Sequence, residues 1–210
     1  MSFILDLIFP KRCYVCHRFG DYLCPECSSG LIPNAITNMP NSFFEGRLSL
    51  FPYKDCLQDL LYDLKYNFVT DLIPDMTSLV SFHLRKSFPH LLSYWQKDDF
   101  VLVPIPLHTY RQNWRGFNQS QLIAQSLADD LHLGCLPDLL LRRTHSPPQA
   151  QLKRSARLNN SPVFAPNPLH QPPSNIILFD DVYTTGSTVK SAATVLEPCH
   201  ANVWILTLAG

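Results

Sequence analysis

The segment NIILFDDVYTTGSTVKSAATVL, from Asn175 to Leu196, constrains the fold more than any other part of the chain. It begins with an apolar run of strand length and continues through two acids and a polar turn into a helical repeat of apolar residues. A second apolar run, NVWILTLA, follows it. Two strands joined by a helix run parallel in one sheet, and helices cover both faces of a parallel sheet. We therefore expect an α/β fold built on a mostly parallel sheet flanked by helices.

Composition divides the chain into three regions. Residues 1–40 are rich in cysteine, residues 41–99 form a connecting region or hood, and residues 100–210 carry the main alternation of strands and helices. In the connecting region, CLQDLLYDLKY places four leucines on one face of a helix. Lys65, near the end of that helix, is interpreted as a solvated lysine at a helix C-terminus.

Charge and hydrophobicity exclude several classes of protein. The formal net charge is zero, so the chain as a whole offers no electrostatic attraction to nucleic acid or membranes. No apolar run approaches the ~20 residues that cross a bilayer, so no membrane insertion is expected. The short run FILDLIF carries Asp6 and lacks a basic flank, which favours a packing segment over a signal peptide. Seven cysteines, an odd number, fit a reducing and therefore cytoplasmic location better than a disulfide framework.

Four of the cysteines form a tight motif in CYVCHRFGDYLCPEC. Cys13, Cys16, Cys24 and Cys27 are spaced C-x2-C-x7-C-x2-C, and each pair can turn two thiolates toward one ion. This spacing favours a structural zinc with four thiolate ligands, while two disulfides or four unpaired thiols are the alternatives. The segment has little apolar material of its own, so the metal would hold it together. We predict a small four-cysteine zinc ribbon.

Asp180 and Asp181 follow the apolar run of the opening segment, at the place where open α/β sheets bind ligands. The next helix is expected to start near Ser187, so TTGST would place hydroxyls and free backbone N–H groups at a helix N-terminus, which favours phosphate. Gly186 allows a close approach or a positive φ. Carboxylates only accept hydrogen bonds, which suits a ribose diol. The alternative is that the acids and the turn merely solubilise a strand end.

ILFDDVYTTGSTV resembles the phosphoribosyl pyrophosphate signature of type I phosphoribosyltransferases. With CYVC, CPEC, DLKY, VPIPL, RGFNQS and RRTHSPPQAQLKRSARLNN in this order, the chain resembles the ComF family over nearly its whole length. These are competence-associated proteins with an N-terminal zinc ribbon and a phosphoribosyltransferase-like domain. The resemblance implies a type I phosphoribosyltransferase-like fold in residues 100–210 and a role connected with competence.

The resemblance also implies a site for phosphoribosyl pyrophosphate and Mg²⁺. Asp180 and Asp181 would hold the ribose hydroxyls and are the candidate catalytic pair. The other candidate substrate-binding residues are Thr184, Thr185, Gly186, Ser187 and Thr188 for the 5′-phosphate, and Leu107, His108, Arg111 and Arg115 for the pyrophosphate. Magnesium would bind pyrophosphate oxygens with few protein ligands. The segment Arg142–Asn160 would close over the reacting carbon and exclude water.

Two functions stay open at this point. The first is transfer of phosphoribose to an unknown acceptor; many purine enzymes of this fold have an acid where Thr184 stands, and threonine is no general base at neutral pH. The second is a non-enzymatic competence factor that binds single-stranded DNA or protein partners. YRQNWRGFNQ interleaves Arg111 and Arg115 with Tyr110, Trp114 and Phe117, as single-strand binders do. The arginines could equally hold the pyrophosphate while the aromatic rings pack in the core.

Overall fold

A computed structural model describes residues 10–39, 43–142 and 163–210. The helices are α1 (Pro25–Gly30), α2 (Asp55–Tyr66), α3 (Ile73–Ser87), α4 (Pro89–Lys97), α5 (Thr109–Arg115), α6 (Gln119–Leu131) and α7 (Ser187–Thr194), with 3₁₀ turns at Thr70–Leu72 and Glu197–Cys199. The strands are β1 (Thr37–Asn38), β2 (Phe44–Phe51), β3 (Val101–Pro104), β4 (Gly134–Cys135), β5 (Leu140–Arg142), β6 (Phe164–Pro166), β7 (Asn175–Val182) and β8 (Asn202–Ala209).

Six of these strands form one sheet in the order β1-β2-β8-β7-β3-β4. β1 runs antiparallel to β2, and every other neighbouring pair is parallel. β5 and β6 form a separate antiparallel pair. Because a helix joins β7 to β8 and the two strands are parallel neighbours, the predicted α/β fold with a mostly parallel sheet is confirmed.

Alternate residues of β7 enter two different hydrophobic clusters. Ile177 and Phe179 pack with the leucines of α2 and with buried residues of α3, α4 and α6. Ile176 and Leu178 pack with the apolar face of α7. The side chains of a strand alternate between the faces of its sheet, so helices cover both faces. The predicted leucine stripe of α2 is confirmed, since all four leucines are buried.

The cysteine-rich segment packs against the helices of the connecting region. Cys13, Leu23 and Cys24 are buried in the same hydrophobic cluster as the leucines of α2. The Asp75 carboxylate, at the start of α3, accepts hydrogen bonds from the backbone N–H groups of Tyr22 (2.9 Å) and Leu23 (3.3 Å). The segment therefore shares its core with the rest of the chain. The boundaries at residues 40 and 99 stay a prediction.

Two local expectations differ from the structure. A glycine after a helical segment is a common C-terminal signal, which predicts that Gly134 closes α6, but the helix ends at Leu131, and His132 takes the left-handed conformation there with φ 55°. β7 was expected to end at Phe179, but its pairing with β8 continues to Val182, so both aspartates lie within the strand.

Two further expectations, for the run FILDLIF and for most of Arg142–Asn160, lie outside the described residues. Among the described residues, no helix has the length and apolar character to cross a membrane.

Candidate functional site

β7 brings its two aspartates to the carboxyl edge of the sheet, where the chain turns into α7. Asp180 is partly exposed and Asp181 is buried. α7 starts at Ser187, as predicted, after Gly186 with φ 72°. A Cβ at Gly186 would overlap the ring of Tyr183, so both the backbone angle and the close packing require glycine. This turn carries the hydroxyls of the predicted phosphate loop next to the aspartates.

A cavity of about 490 Å³ opens at this edge of the sheet. Of the predicted substrate-binding residues, it is lined by Leu107, His108, Arg111, Arg115, Asp180, Asp181, Thr184 and Thr188. Thr185, Gly186 and Ser187 lie in the same turn but are not among the lining residues. The remaining lining residues are Tyr53, Lys65, Tyr66, Ile105, Pro106, Gln119, Arg142 and Val182. Residues far apart in sequence thus meet around the aspartate pair.

The two carboxylates are held by donors from α2 and α6. The Ser120 hydroxyl donates to Asp180 Oδ1 at 3.0 Å, and the backbone N–H of Asp181 donates to the same oxygen at 2.9 Å. The Gln119 amide donates to Asp181 Oδ2 at 2.7 Å. Lys65 Nζ lies 2.9 Å from that oxygen. Each carboxylate is therefore oriented before any ligand enters.

The interpretation of Lys65 as a solvated lysine is wrong. Its side chain is only 16% exposed and forms an ion pair with Asp181, which is also buried. The stripe of apolar residues on α2 faces the core, and Lys65 follows it at the end of the helix that points toward the carboxyl edge of the sheet. Its partner is distant in sequence, so local sequence could not identify it.

Arg115 fixes the orientation of the Gln119 amide. Arg115 Nη1 donates to Gln119 Oε1 at 3.0 Å, and since a guanidinium can only donate, the amide NH₂ must point toward Asp181. Arg115 is buried, and burial lowers the pKa of its guanidinium, although the neighbouring Asp181 acts in the opposite direction. The buried Nε of Arg115 has no hydrogen-bond partner within the described part of the chain.

Burial, together with the negative charge of Asp181, raises the pKa of Asp180 to about 7. The Ser120 hydroxyl and the backbone N–H of Asp181 act in the opposite direction, as does the positive charge of Lys65. Two carboxylates this close share their titration, and the pair keeps a proton more readily than an isolated aspartate does.

Two further arginines contribute positive charge to the cavity. Arg111 and Arg142 line it, and burial followed by the like charge of Arg111 lowers the pKa of Arg142. Arg142 Nη1 donates to the backbone carbonyl of Pro106 at 3.3 Å, which holds the guanidinium beside the loop after β3. His108 caps α5, because its Nδ1 accepts a hydrogen bond from the Tyr110 backbone N–H at 3.2 Å.

A strip of aromatic side chains adjoins the mouth of the cavity. We call Tyr62, Tyr66, Phe68 and Trp114 the aromatic strip; each is 40–54% exposed. The ring centroids of Tyr62 and Tyr66 are 4.9 Å apart, and those of Phe68 and Trp114 are 5.1 Å apart. Tyr66 also lines the cavity. The sequence motif around Arg111 and Arg115 identified Trp114, but the strip extends onto the end of α2.

The four cysteines of the predicted ribbon converge at one point. The Sγ atoms of Cys13, Cys16, Cys24 and Cys27 all lie within 4.8 Å of one another, and those of Cys16 and Cys24 are 3.7 Å apart. Burial acts to raise the pKa of Cys13, but hydrogen bonds from the backbone of Cys16, Cys24 and Val15 outweigh it and lower that pKa to about 6. The thiols are arranged as a cluster that can hold a metal ion.

Sequence reasoning missed Gln119 and Ser120 as well as Lys65. Both follow Asn118, which caps α6 by accepting a hydrogen bond from the Ser120 backbone N–H at 3.1 Å. Polar residues in the first turn of a helix are usually explained by capping alone. Both residues lie within RGFNQS, but since capping accounts for them, nothing in that motif separately marks their contacts with the aspartates.

No family model matches the chain. Among curated proteins, the chain is 29% identical over 199 residues to "Competence protein ComFC" of Bacillus subtilis, an alignment that covers 89% of this chain and 78% of the relative. It is 34% identical over 115 residues to "Competence protein F" of Haemophilus influenzae, covering 52% of this chain and 50% of the relative. It is 27% identical over 211 positions to "DNA utilization protein YhgH" of Escherichia coli K12, covering 92% and 88%.

Proposed function

The chain belongs to the ComF family, and from this premise we propose that its cavity binds phosphoribosyl pyrophosphate with Mg²⁺. The observation that supports the proposal most directly is the pairing of two adjacent carboxylates with a hydroxyl-rich turn at a helix N-terminus. One ligand that requires both is a ribose with free hydroxyls and a 5′-phosphate.

The charges of the cavity agree with this ligand. Four cationic side chains, Lys65, Arg111, Arg115 and Arg142, line it together with two carboxylates. Arginine forks suit phosphate oxygens, while the carboxylates suit hydroxyl donors. A ligand that is anionic at its ends and rich in hydroxyls between them complements this distribution. Bound magnesium would neutralise part of the pyrophosphate charge and help it to leave.

The proposed reaction is transfer of phosphoribose to an acceptor that remains to be identified. Asp180 and Asp181 would orient the ribose and stabilise positive charge that develops at its reacting carbon, because carboxylates near a developing cation lower its energy. Thr184 lines the cavity but cannot accept a proton at neutral pH. The acceptor therefore has to react without losing a proton to Thr184, or another group has to act as the base that removes it.

Isothermal titration calorimetry with Mg²⁺ and phosphoribosyl pyrophosphate tests this proposal on the full chain. The wild type should bind, and the double variant Asp180→Ala/Asp181→Ala should lose binding while it keeps its circular dichroism spectrum. Asp129→Ala, at an exposed position on α6, serves as the matched control and should bind like the wild type. A folded wild type that does not bind would refute the proposal.

We propose further that Cys13, Cys16, Cys24 and Cys27 hold a structural zinc ion. Four ligands at a Zn–S distance of about 2.3 Å in a tetrahedron place their sulfur atoms about 3.8 Å apart, close to the 3.7 Å between Cys16 and Cys24. All four positions are then occupied by protein ligands, so the ion has no open site for chemistry. Metal analysis of the purified protein should find about one zinc per chain, and stable protein without metal would contradict the assignment.

Because relatives are named for competence and for DNA utilization, we propose that this activity serves DNA uptake, in the cytoplasm. A second candidate function, binding of single-stranded DNA, is favoured by the aromatic strip, since exposed rings next to cations provide stacking platforms beside phosphate contacts. A gel shift with oligonucleotides should weaken with rising salt. Trp114→Ala should weaken it further, whereas Phe82→Ala, at an exposed ring outside the strip, should not. Absence of any shift at low salt would remove this candidate.

A further inference from the structure

The two side chains that donate to Asp181 differ in charge. Gln119 and Lys65 both bind Oδ2, at 2.7 and 2.9 Å. Gln119 is neutral and is oriented by Arg115, so it fixes the direction of the carboxylate without compensating its charge. Lys65 is the only cation within ion-pair distance of Asp181 among the described residues. Oδ1 of Asp181 has no hydrogen-bond donor within the same described ranges, so it can accept from a ligand hydroxyl.

Lys65 reaches the aspartate pair from helix α2 and not from a strand of the sheet. It lies in the last turn of α2, whose leucines are buried against the sheet, so its backbone is rigidly placed. Its side chain and that of Asp181 are 16% and 7% exposed. Water therefore screens the pair poorly, and the interaction is stronger than that of a surface ion pair.

We infer that Lys65 is a positioning residue that compensates the charge of Asp181 and keeps its carboxylate directed at the ligand hydroxyls; this rests on the proposed function. Three charged groups surround the Asp181 carboxylate. They are Asp180 from the same strand, Lys65 from α2 and Arg115 from the end of α5. Arg142 lines the same cavity, and its charge interacts with that of Asp180. The positive charge of Lys65 acts to lower the pKa of Asp180. Without Lys65, the adjacent carboxylates would hold their shared proton more tightly, and one of the two acceptors for the diol would be protonated over a wider pH range.

The experiment uses the full chain with three substitutions. Lys65→Met removes the charge and keeps most of the side-chain volume, and Lys65→Arg keeps the charge. Lys97→Met is the matched control, because Lys97 also lies in the last turn of a helix but is exposed.

The first readout needs no ligand. Carboxyl carbon NMR of protein labelled at aspartate, assigned with Asp180→Asn, follows the titration of the pair. Lys65→Met should raise the apparent pKa values of the aspartate pair by about one pH unit or more. Lys65→Arg and Lys97→Met should leave these pKa values near those of the wild type. An unchanged titration in Lys65→Met would overturn the inference whatever the protein binds.

The second readout is calorimetry at pH 7 with two probes, magnesium phosphoribosyl pyrophosphate and magnesium pyrophosphate alone. A rise of about one in an apparent pKa near 7 lowers the ionised fraction at pH 7 about fivefold. Lys65→Met should therefore weaken binding of the first probe by about fivefold or more and leave binding of the second unchanged. Equal loss of both probes would make Lys65 a pyrophosphate ligand and overturn the positioning role. A wild type that binds neither, with a responsive carboxyl titration, would refute the proposed function alone and support the role of Lys65 at the pair.

Discussion

Asp180→Asn is expected to stabilise the protein at alkaline pH while it removes a proposed ligand contact. The native environment raises the pKa of Asp180 from 3.8 to about 7, through burial first and the neighbouring Asp181 second. The native state thus holds the proton more tightly than the unfolded state does. An asparagine resembles the protonated aspartate in size and charge, and its Oδ1 can still accept from the Ser120 hydroxyl.

The direction of the pH dependence follows from linkage. A group whose native pKa is raised favours folding fully below its unfolded pKa, and this contribution is lost as pH rises through the native pKa. For Asp180 the loss falls between pH 3.8 and about 7. Each unit of pKa corresponds to about 1.4 kcal/mol, which gives an upper limit of about 4 kcal/mol. Because Asp180 is partly exposed, solvent screening reduces this figure, and we expect about 1–3 kcal/mol.

Urea unfolding of the wild type and of Asp180→Asn at pH 5 and pH 8 measures this difference. The variant should be more stable than the wild type at pH 8, and its advantage should shrink at pH 5. Asp129→Asn, at an exposed position on α6, should show no such difference. If Asp180→Asn is no more stable than the wild type at pH 8, the pair does not carry the electrostatic cost that its geometry indicates.

Three other substitutions probe the turn, the sheet and the cysteine cluster. Gly186→Ala should weaken binding of phosphoribosyl pyrophosphate in calorimetry, because φ is 72° and the new Cβ would overlap Tyr183; full affinity would contradict the role of the turn. Gly46→Ala should lower the free energy of unfolding by about 1–3 kcal/mol, since its Cβ would lie 2.6 Å from ring atoms of Trp204, and tryptophan fluorescence during unfolding measures this. Cys24→Ser should lose the metal in elemental analysis and lower the melting temperature; a variant that keeps both would exclude Cys24 as a ligand.

The elements that sequence predicted well are those whose signals are local. The repeat in α2 and the apolar run of β8 bury one face or both, so their periodicity alone shows what they are. The start of α7 at Ser187 follows from Gly186 and the hydroxyl residues around it, which together favour a turn before the helix. The aspartate pair and the turn after it were identified because all their residues lie in one short segment.

The parts of the site that sequence missed come from tertiary contacts. Gln119 and Ser120 have sufficient local reasons to begin a helix, so their contacts with the aspartates leave no separate trace in the sequence. β7 extends three residues beyond the apolar run because pairing with β8 satisfies the backbone of two polar residues that would otherwise suggest a loop.

The aspartate pair itself nevertheless implied that a cation was missing from the sequence interpretation. From Asp180 through Val189 there is no lysine or arginine, so the residues that follow the pair cannot compensate its charge. Adjacent carboxylates at the end of a buried strand require positive charge from another element, since an uncompensated buried charge is costly. A lysine at the end of an amphipathic helix, with its stem next to the buried face, satisfies that requirement, and Lys65 is such a residue. The electrostatic requirement of the predicted site thus argues against solvation of Lys65, where helix periodicity alone could not decide.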